Sequence, residues 1–261
     1  MIHSKKMPRR LWTREELVVT LALYYQLPFG RLNHTTREVI DLANTIGRTA
    51  NSVALRLSNF AACDPYIINS GRHGMAGGLS VCKPIWDEYE YNHEKLFYDA
   101  EVYLAQMKRE TLESHLRLTD RDFIGKERLA VIKQRVNQDA FRAMILNNYD
   151  FRCAITGMDV QSLLVASHII PWADNVDERL NPENGICLSP LYDKAFDKGL
   201  IGIQPDYEIV VSKELKEHSH EDFFISSFAP IEHKKLILPE EHQPRPAFLQ
   251  YHYDNIFSAH N

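Results

Sequence analysis

Four residues stand at spacings that suit chemistry: His168, Asn184, Asp193 and Asp197. An imidazole near neutral pH takes a proton from water. Asp193 and Asp197 are four apart in a helical stretch, so they share one face, one turn from each other. Two carboxylates so placed can hold a hard divalent cation, with water and phosphate in its other positions. Such a cation stabilises charge on a phosphate oxygen and on its leaving group. The amide of Asn184 suits tying a loop to a strand and orienting the imidazole. Together these parts fit hydrolysis of a phosphodiester.

The stretch from 149 to 200 must position them. Residues 152–156 are short and apolar and end at Gly157, and residues 163–170, LLVASHII, favour a strand, so the pair reads as a hairpin. Pro171 lacks a backbone donor and ends the second strand, leaving His168 near its tip. A polar loop covers 173–183, and Asn184-Gly185 reads as a turn at positive φ. Ser189 as N-cap and Pro190 at the first helical position open the helix that carries both aspartates. Each element alone has a plain reading: a hydrogen-bonded histidine, a turn, a solvated helix face. Their joint order is what selects the site.

The runs S-H-I-I-P-W, R-L-N-P-E-N-G-I-C-L and Y-D-K-A-F-D-K-G-L resemble the HNH endonucleases, as do R-V-N-Q-D-A-F-R and R-C-A-I-T-G upstream. The resemblance covers residues 135–204. It is to the branch without zinc-ribbon cysteines, found in bacterial restriction and phage-defence proteins. It implies a ββα-metal fold, with His168 as general base and Asn184 as the middle Asn of the motif. Asp193 stands where the last His of the family name stands, as metal ligand, and Asp197 matches a further ligand of some members. The implied cofactor is a divalent metal, Mg²⁺ first, with Mn²⁺ or Zn²⁺ as alternatives. Two departures are visible. Ser167 precedes the histidine where many members carry Asp or His, and the final His is absent.

The chain has 261 residues, 44% hydrophobic and 25% charged, an ordinary globular composition with room for two cores. No stretch is apolar enough to span a membrane, and the first residues lack the apolar core of a signal peptide. Cys63, Cys82, Cys153 and Cys187 are widely spaced without C-x-x-C, which fits reduced thiols in a cytoplasm; Cys153 and Cys187, within the stretch that positions the site, read as core residues, with a structural metal as the lesser option. The net charge of −5 is uneven. Residues 1–60 hold 9 Lys and Arg against 4 Asp and Glu, and the remainder 21 against 31. A basic front end points to a polyanion partner, double-stranded DNA.

Residues 1–10 read as a flexible basic arm. Thr13 and Glu16 form a capping box for a helix with Leu17, Val18, Leu21 and Tyr24 inward. A second helix starts near Thr36 with Val39, Ile40, Ala43 and Ile46 inward. Gly47 turns the chain, and Thr49 caps a third helix burying Val53, Leu57 and Phe60. The W-T-R-E-E opening resembles Myb/SANT-like domains, and the pair joined at Gly47 resembles a helix-turn-helix. In such a domain the third helix enters a major groove, presenting Arg48, Asn51, Ser52, Arg56 and Asn59 to bases. Arg142 and Arg179 could meet phosphates.

Residues 70–80 are Gly-rich and read as a loop or wing, 84–117 as one long helix, and 118–134 as a charged linker. A helix over 136–148 leads into the site, and strands follow at 201–203 and 209–211. The closing F-L-Q-Y-H-Y-D-N-I-F resembles a segment of the same HNH branch, and His252 within it reads as a packing residue. The expected architecture is α+β: a helical, helix-turn-helix-like domain over 1–117, the linker, and a ββα-metal nuclease domain over 135–261. The expected function is a metal-dependent DNA endonuclease of restriction or phage defence, with a homodimer suiting double-strand cutting. A non-catalytic DNA-binding regulator with a degenerate HNH domain, or an RNA nuclease or toxin, remain open alternatives.

Overall fold

The computed structural model describes residues 10–124 and 127–258, and the basic arm read at the N-terminus lies almost wholly outside them. It is mixed, with helices and two small antiparallel sheets, and divides into two units. The first runs to Lys133 apart from Gln26–Pro28, and the second begins at Gln134.

In the first unit, α1 (Arg14–Gln26) is buried at every position from Glu16 to Tyr24. A helix apolar around its whole circumference belongs at the centre of a core. Its capping box forms as expected: Thr13 N–H donates to Glu16 Oε2 at 3.0 Å and Glu16 N–H to Thr13 Oγ1 at 3.3 Å. α2 (Arg37–Ile46) and α3 (Ala50–Ala61) follow and pack on each other. Gly47 ends α2 at φ +65°, and the Thr49 side chain accepts from Ser52 N–H to start α3. Ile40 was expected inside but is exposed. Leu42 is buried beside Val39, Ala43 and Ile46 in its place, because the buried stripe follows the 3.6-residue period.

After α4 (Pro65–Asn69), the long helix expected over 84–117 is three separate ones: α5 (Leu79–Tyr89), α6 (His93–Lys108) and α7 (Leu112–His115). Asn92 caps α6 by accepting from Lys95 N–H, which forces a break after α5. Arg109, in the left-handed region at φ +59°, ends α6. The linker expected over 118–134 is also shorter, since α8 (Arg128–Asn148) already begins inside it.

The second unit builds the site. β1 (Val165–His168) pairs antiparallel with β2 (Gly185–Leu188), in register His168 to Gly185 and Val165 to Leu188. The expected first strand at 152–156 is instead a turn region, touching this sheet through one bond from Ala154 N–H to Cys187 O. The strand that pairs with β1 is therefore the one after the loop. Gly185 is extended, at φ −135°, so Asn184-Gly185 is not a positive-φ turn. Its glycine answers a different demand: a Cβ there would stand 2.3 Å from Ile145 Cδ1 and 2.7 Å from Phe141 Cζ. α9 (Pro190–Asp197) follows with Pro190 in its first turn and buries Tyr192, Ala195 and Phe196. β3 (Ile201–Ile203) and β4 (Ile209–Val211) form the second sheet where the sequence placed it. Between them and the end lie α10 (Lys213–Glu217) and α11 (Asp222–Ser227). α12 (Pro246–His252) and the turn after it close the unit, with Phe257 lying against Gly202. Among the described residues no helix is long and apolar enough to cross a membrane.

Candidate active site

β1, the residues just after it and α9 line a cleft of about 510 Å³. Its walls include Ser167, His168 and Trp172, then Asp193 and Asp197 of α9, and His252 of α12. Three of the four residues singled out by spacing therefore share one cavity.

His168 is held on three sides. Its ring stacks on Phe141 of α8 with centroids 3.7 Å apart and planes 14° from parallel. Trp172 meets it edge-on at 5.3 Å. Its Nε2 lies 3.0 Å from the backbone oxygen of Arg179. A carbonyl only accepts, so Nε2 carries the hydrogen and the neutral ring keeps its lone pair on Nδ1. Burial lowers the imidazole pKa from the ordinary 6.5, against the raising effect of the Arg179 bond.

Asn184 lies outside the cleft wall and is 1% exposed. Its Oδ1 accepts from Ile170 N–H at 2.8 Å, and its Nδ2 reaches Ile170 O and Glu178 O at 3.3 and 3.2 Å. The amide is thus fully used in tying β1 to the loop that carries Arg179. Buried in this way, Asn184 does not face the cleft.

Arg179, expected to meet a phosphate, also braces the loop. Its Nε donates to Trp172 O at 2.7 Å, and its guanidinium carbon stands 5.0 Å from the Trp172 ring centroid. His168, Arg179 and Trp172 form a closed circuit of contacts. Arg142 likewise donates to Leu164 O at 2.8 Å, holding α8 to the start of β1.

Asp193 is half-buried and Asp197 exposed. Loss of solvent raises both carboxyl pKa values, and for Asp197 the charge of Asp193 adds to the rise. Ser167 and Lys194 draw Asp193 down, and Lys194 and Lys198 do so for Asp197. The buried Ser167 hydroxyl thus faces Asp193, yet makes no hydrogen bond of normal geometry. Two mutually repelling carboxylates beside an unused hydroxyl are a donor set that fits a hard divalent cation. Among the described residues no three His, Cys, Asp or Glu groups stand close enough to hold an ion by themselves, so water would complete its shell.

Cys153 and Cys187 are buried free thiols, and burial pushes Cys187 up to about 12. Both are core residues, as their place in this stretch suggested, and Cys63 and Cys82 are buried as well.

The face of α3 expected to read bases is mostly occupied. Arg48 Nη2 donates to Glu16 Oε2 and to Leu11 O, both at 2.7 Å, and its guanidinium lies over Trp12 at 4.1 Å. Asn59 is 3% exposed and donates to Met75 O at 2.5 Å. Arg56 stacks on Trp12 at 4.9 Å and points Nη1 at Cys82 Sγ. The Gly-rich loop covers this face. A Cβ on Gly74 would stand 2.3 Å from Ala62 N and Ser58 O, and one on Gly78 2.1 Å from Asn59 Oδ1. Of the expected set, Asn51 is exposed and Ser52 and Arg56 are half-exposed. The G-x-x-x-G spacing of residues 74–78 was the available signal of this cover, since glycine allows backbone to approach backbone closely.

Residues 153–204 match the model of the HNH endonuclease family. No curated protein matches the chain.

Proposed function

The chain carries an HNH endonuclease domain at residues 153–204, and from that premise we propose that it is a metal-dependent endonuclease that hydrolyses phosphodiester bonds of double-stranded DNA. The observation that carries this reading is the state of His168. Its Nε2–H is committed to Arg179 O, its ring is clamped by Phe141 and Trp172, and its lone pair stands on Nδ1 in a cleft shared with two aspartates.

In this reading His168 Nδ1 takes the proton from the attacking water. The lowered pKa keeps the ring neutral, hence basic, at physiological pH. The bond to Arg179 O also supports the imidazolium that forms, because a carbonyl dipole faces the new positive charge. Asn184 keeps that carbonyl in place. Asp193 and Asp197 would hold the divalent cation, which when bound supplies positive charge to the phosphate and its leaving oxygen. The products carry 5′-phosphate and 3′-hydroxyl ends.

One such cleft cuts one strand, so paired cuts call for two copies, and a homodimer with two-fold symmetry suits a palindromic site. The family resemblance supports a restriction or phage-defence role in the cytoplasm. Contact of the first unit with duplex DNA rests now on Asn51, Ser52 and Arg56 rather than on Arg48 or Asn59. The test is cleavage of modified and unmodified phage DNA, and of RNA in parallel, with Mg²⁺ or Mn²⁺. Metal-dependent cutting of duplex DNA supports the proposal, and cutting of RNA alone replaces its substrate.

A further inference from the structure

A second cleft, of about 740 Å³, lies wholly within the first unit. Leu55 and Arg56 come to its wall from α3, Met75 from the Gly-rich loop, Val81 from α5, and Trp12 from the residues before α1. Charge on this wall has one sign. Among the described residues that line it there is no Asp or Glu. Arg10 and Arg48, which also line it, are both paired with the buried Glu16.

Arg56 has no such partner. Its guanidinium rests over the Trp12 ring at 4.9 Å, and its Nη1 stands 3.6 Å from Cys82 Sγ, a thiol that burial keeps protonated. Among the described residues no carboxylate pairs with it, and it is half-exposed. Around that charge the wall is apolar. Leu55, Met75 and Val81 are large and hydrophobic, and all three are exposed. Exposed apolar side chains around a single unpaired charge, in a cleft of ligand size, are the composition of a small-molecule site. A phosphodiester backbone would satisfy Arg56 and leave these side chains in water. An anion that carries its own apolar body satisfies both. Its charged group hydrogen-bonds the guanidinium, and its body covers the apolar wall.

We propose that this cleft binds a small organic anion with an apolar body, its charge held by Arg56 and its body by Leu55, Met75 and Val81. The site belongs to the first unit alone, so the proposal does not rest on the cutting reaction.

The probe is anilinonaphthalene sulfonate, a sulfonate on an aromatic body, titrated into the full-length protein and followed by its fluorescence. The wild type should bind it at one saturable site from which naphthoate displaces it. The Met75 methyl resonance of ¹³C-methionine-labelled protein should shift and saturate along the same curve. Arg56→Met keeps an apolar stem and loses the charge. Its affinity for the sulfonate should fall about 10- to 100-fold, the range for a hydrogen bond to a charged group. The uncharged phenylnaphthylamine should bind it as it binds the wild type. Equal sulfonate affinity in wild type and Arg56→Met, or a Met75 signal that does not move, overturns the proposal. An equal loss of both probes shows packing rather than charge and overturns the role of Arg56. Displacement by duplex DNA with none by naphthoate assigns the cleft to nucleic acid, and no saturable binding by the wild type leaves no site; either result overturns the proposal. If Arg56→Met does not fold, Met75→Glu, at an exposed loop position, takes its place. The new carboxylate on the wall should weaken sulfonate binding by a similar factor, and unchanged affinity overturns the proposal.

Discussion

His168 and His252 share a device: a phenylalanine beneath the ring, a backbone carbonyl on Nε2, and a lone pair left on Nδ1. Burial lowers both pKa values, His252 to about 4. The sign for stability follows. A histidine whose folded pKa lies below its unfolded 6.5 binds its proton more readily when unfolded. Its contribution is complete above pH 6.5 and is lost as pH falls toward the folded value. For His252 this loss is about 2 kcal/mol by pH 5. Asp193 and Asp197, raised in the fold, act in the opposite sense and offset part of it. Chemical denaturation of the metal-free protein should therefore show stability falling between pH 7 and 5, and His252→Gln should flatten that fall. For catalysis, the acid limb of the rate profile should lie below pH 6.5. A limb above that value would show that His168 is not the base. Asp193→Asn removes a charge that repels Asp197. It should leave metal-free melting equal or higher while abolishing the rise in melting temperature on adding Mg²⁺. A rise equal to that of the wild type would move the cation elsewhere.

At the scale of elements, β1, β2 and α9 hold the chemistry only because α8 supports them from below. Gly185 is where that support is tightest. Gly185→Ala would drive a methyl into Ile145 and Phe141, and Phe141 is the surface on which His168 rests. The expected cost is about 1–3 kcal/mol of stability, from overpacking. Cleavage should fall by more than the loss of folded protein accounts for, measured by denaturation and activity on the same sample. The helix carrying Asp193 and Asp197 was legible in the sequence, because a Ser-Pro start and an i, i+4 pair are local signals. So were α1, α3 and the 201–211 hairpin, each bounded by its own cap or turn. The partner of β1 was not legible. Residues 152–156 and 185–188 are both short apolar runs, and a glycine needed for close approach looks the same as one needed for a turn. The cover over α3 was missed for a related reason. The polarity of Asn59 and Arg56 pointed outward, while Gly74 and Gly78 let a loop bring its backbone onto them. His252, read as a packing residue, is buried against Phe196, a contact that an isolated histidine in an apolar segment does not reveal in the sequence.

The whole molecule is acidic overall, and several arginines of residues 1–60 are paired within the first unit. Arg14 pairs with Glu88, Arg31 with Glu38, Arg37 with Asp41, and Glu16 takes both Arg10 and Arg48. Arg48→Ala should destabilise the first unit by about 3 kcal/mol or more, since it leaves the buried Glu16 short of a partner. A melting temperature unchanged from the wild type would return Arg48 to the set free to contact DNA. The central claim is that the cleft cuts DNA with His168 as base. Its most direct test is cleavage of supercoiled plasmid with Mg²⁺ or Mn²⁺, wild type beside His168→Ala at matched folding. The account predicts nicked or linear plasmid from the wild type and a loss of at least 100-fold in the variant. Cleavage by both at the same rate would contradict it.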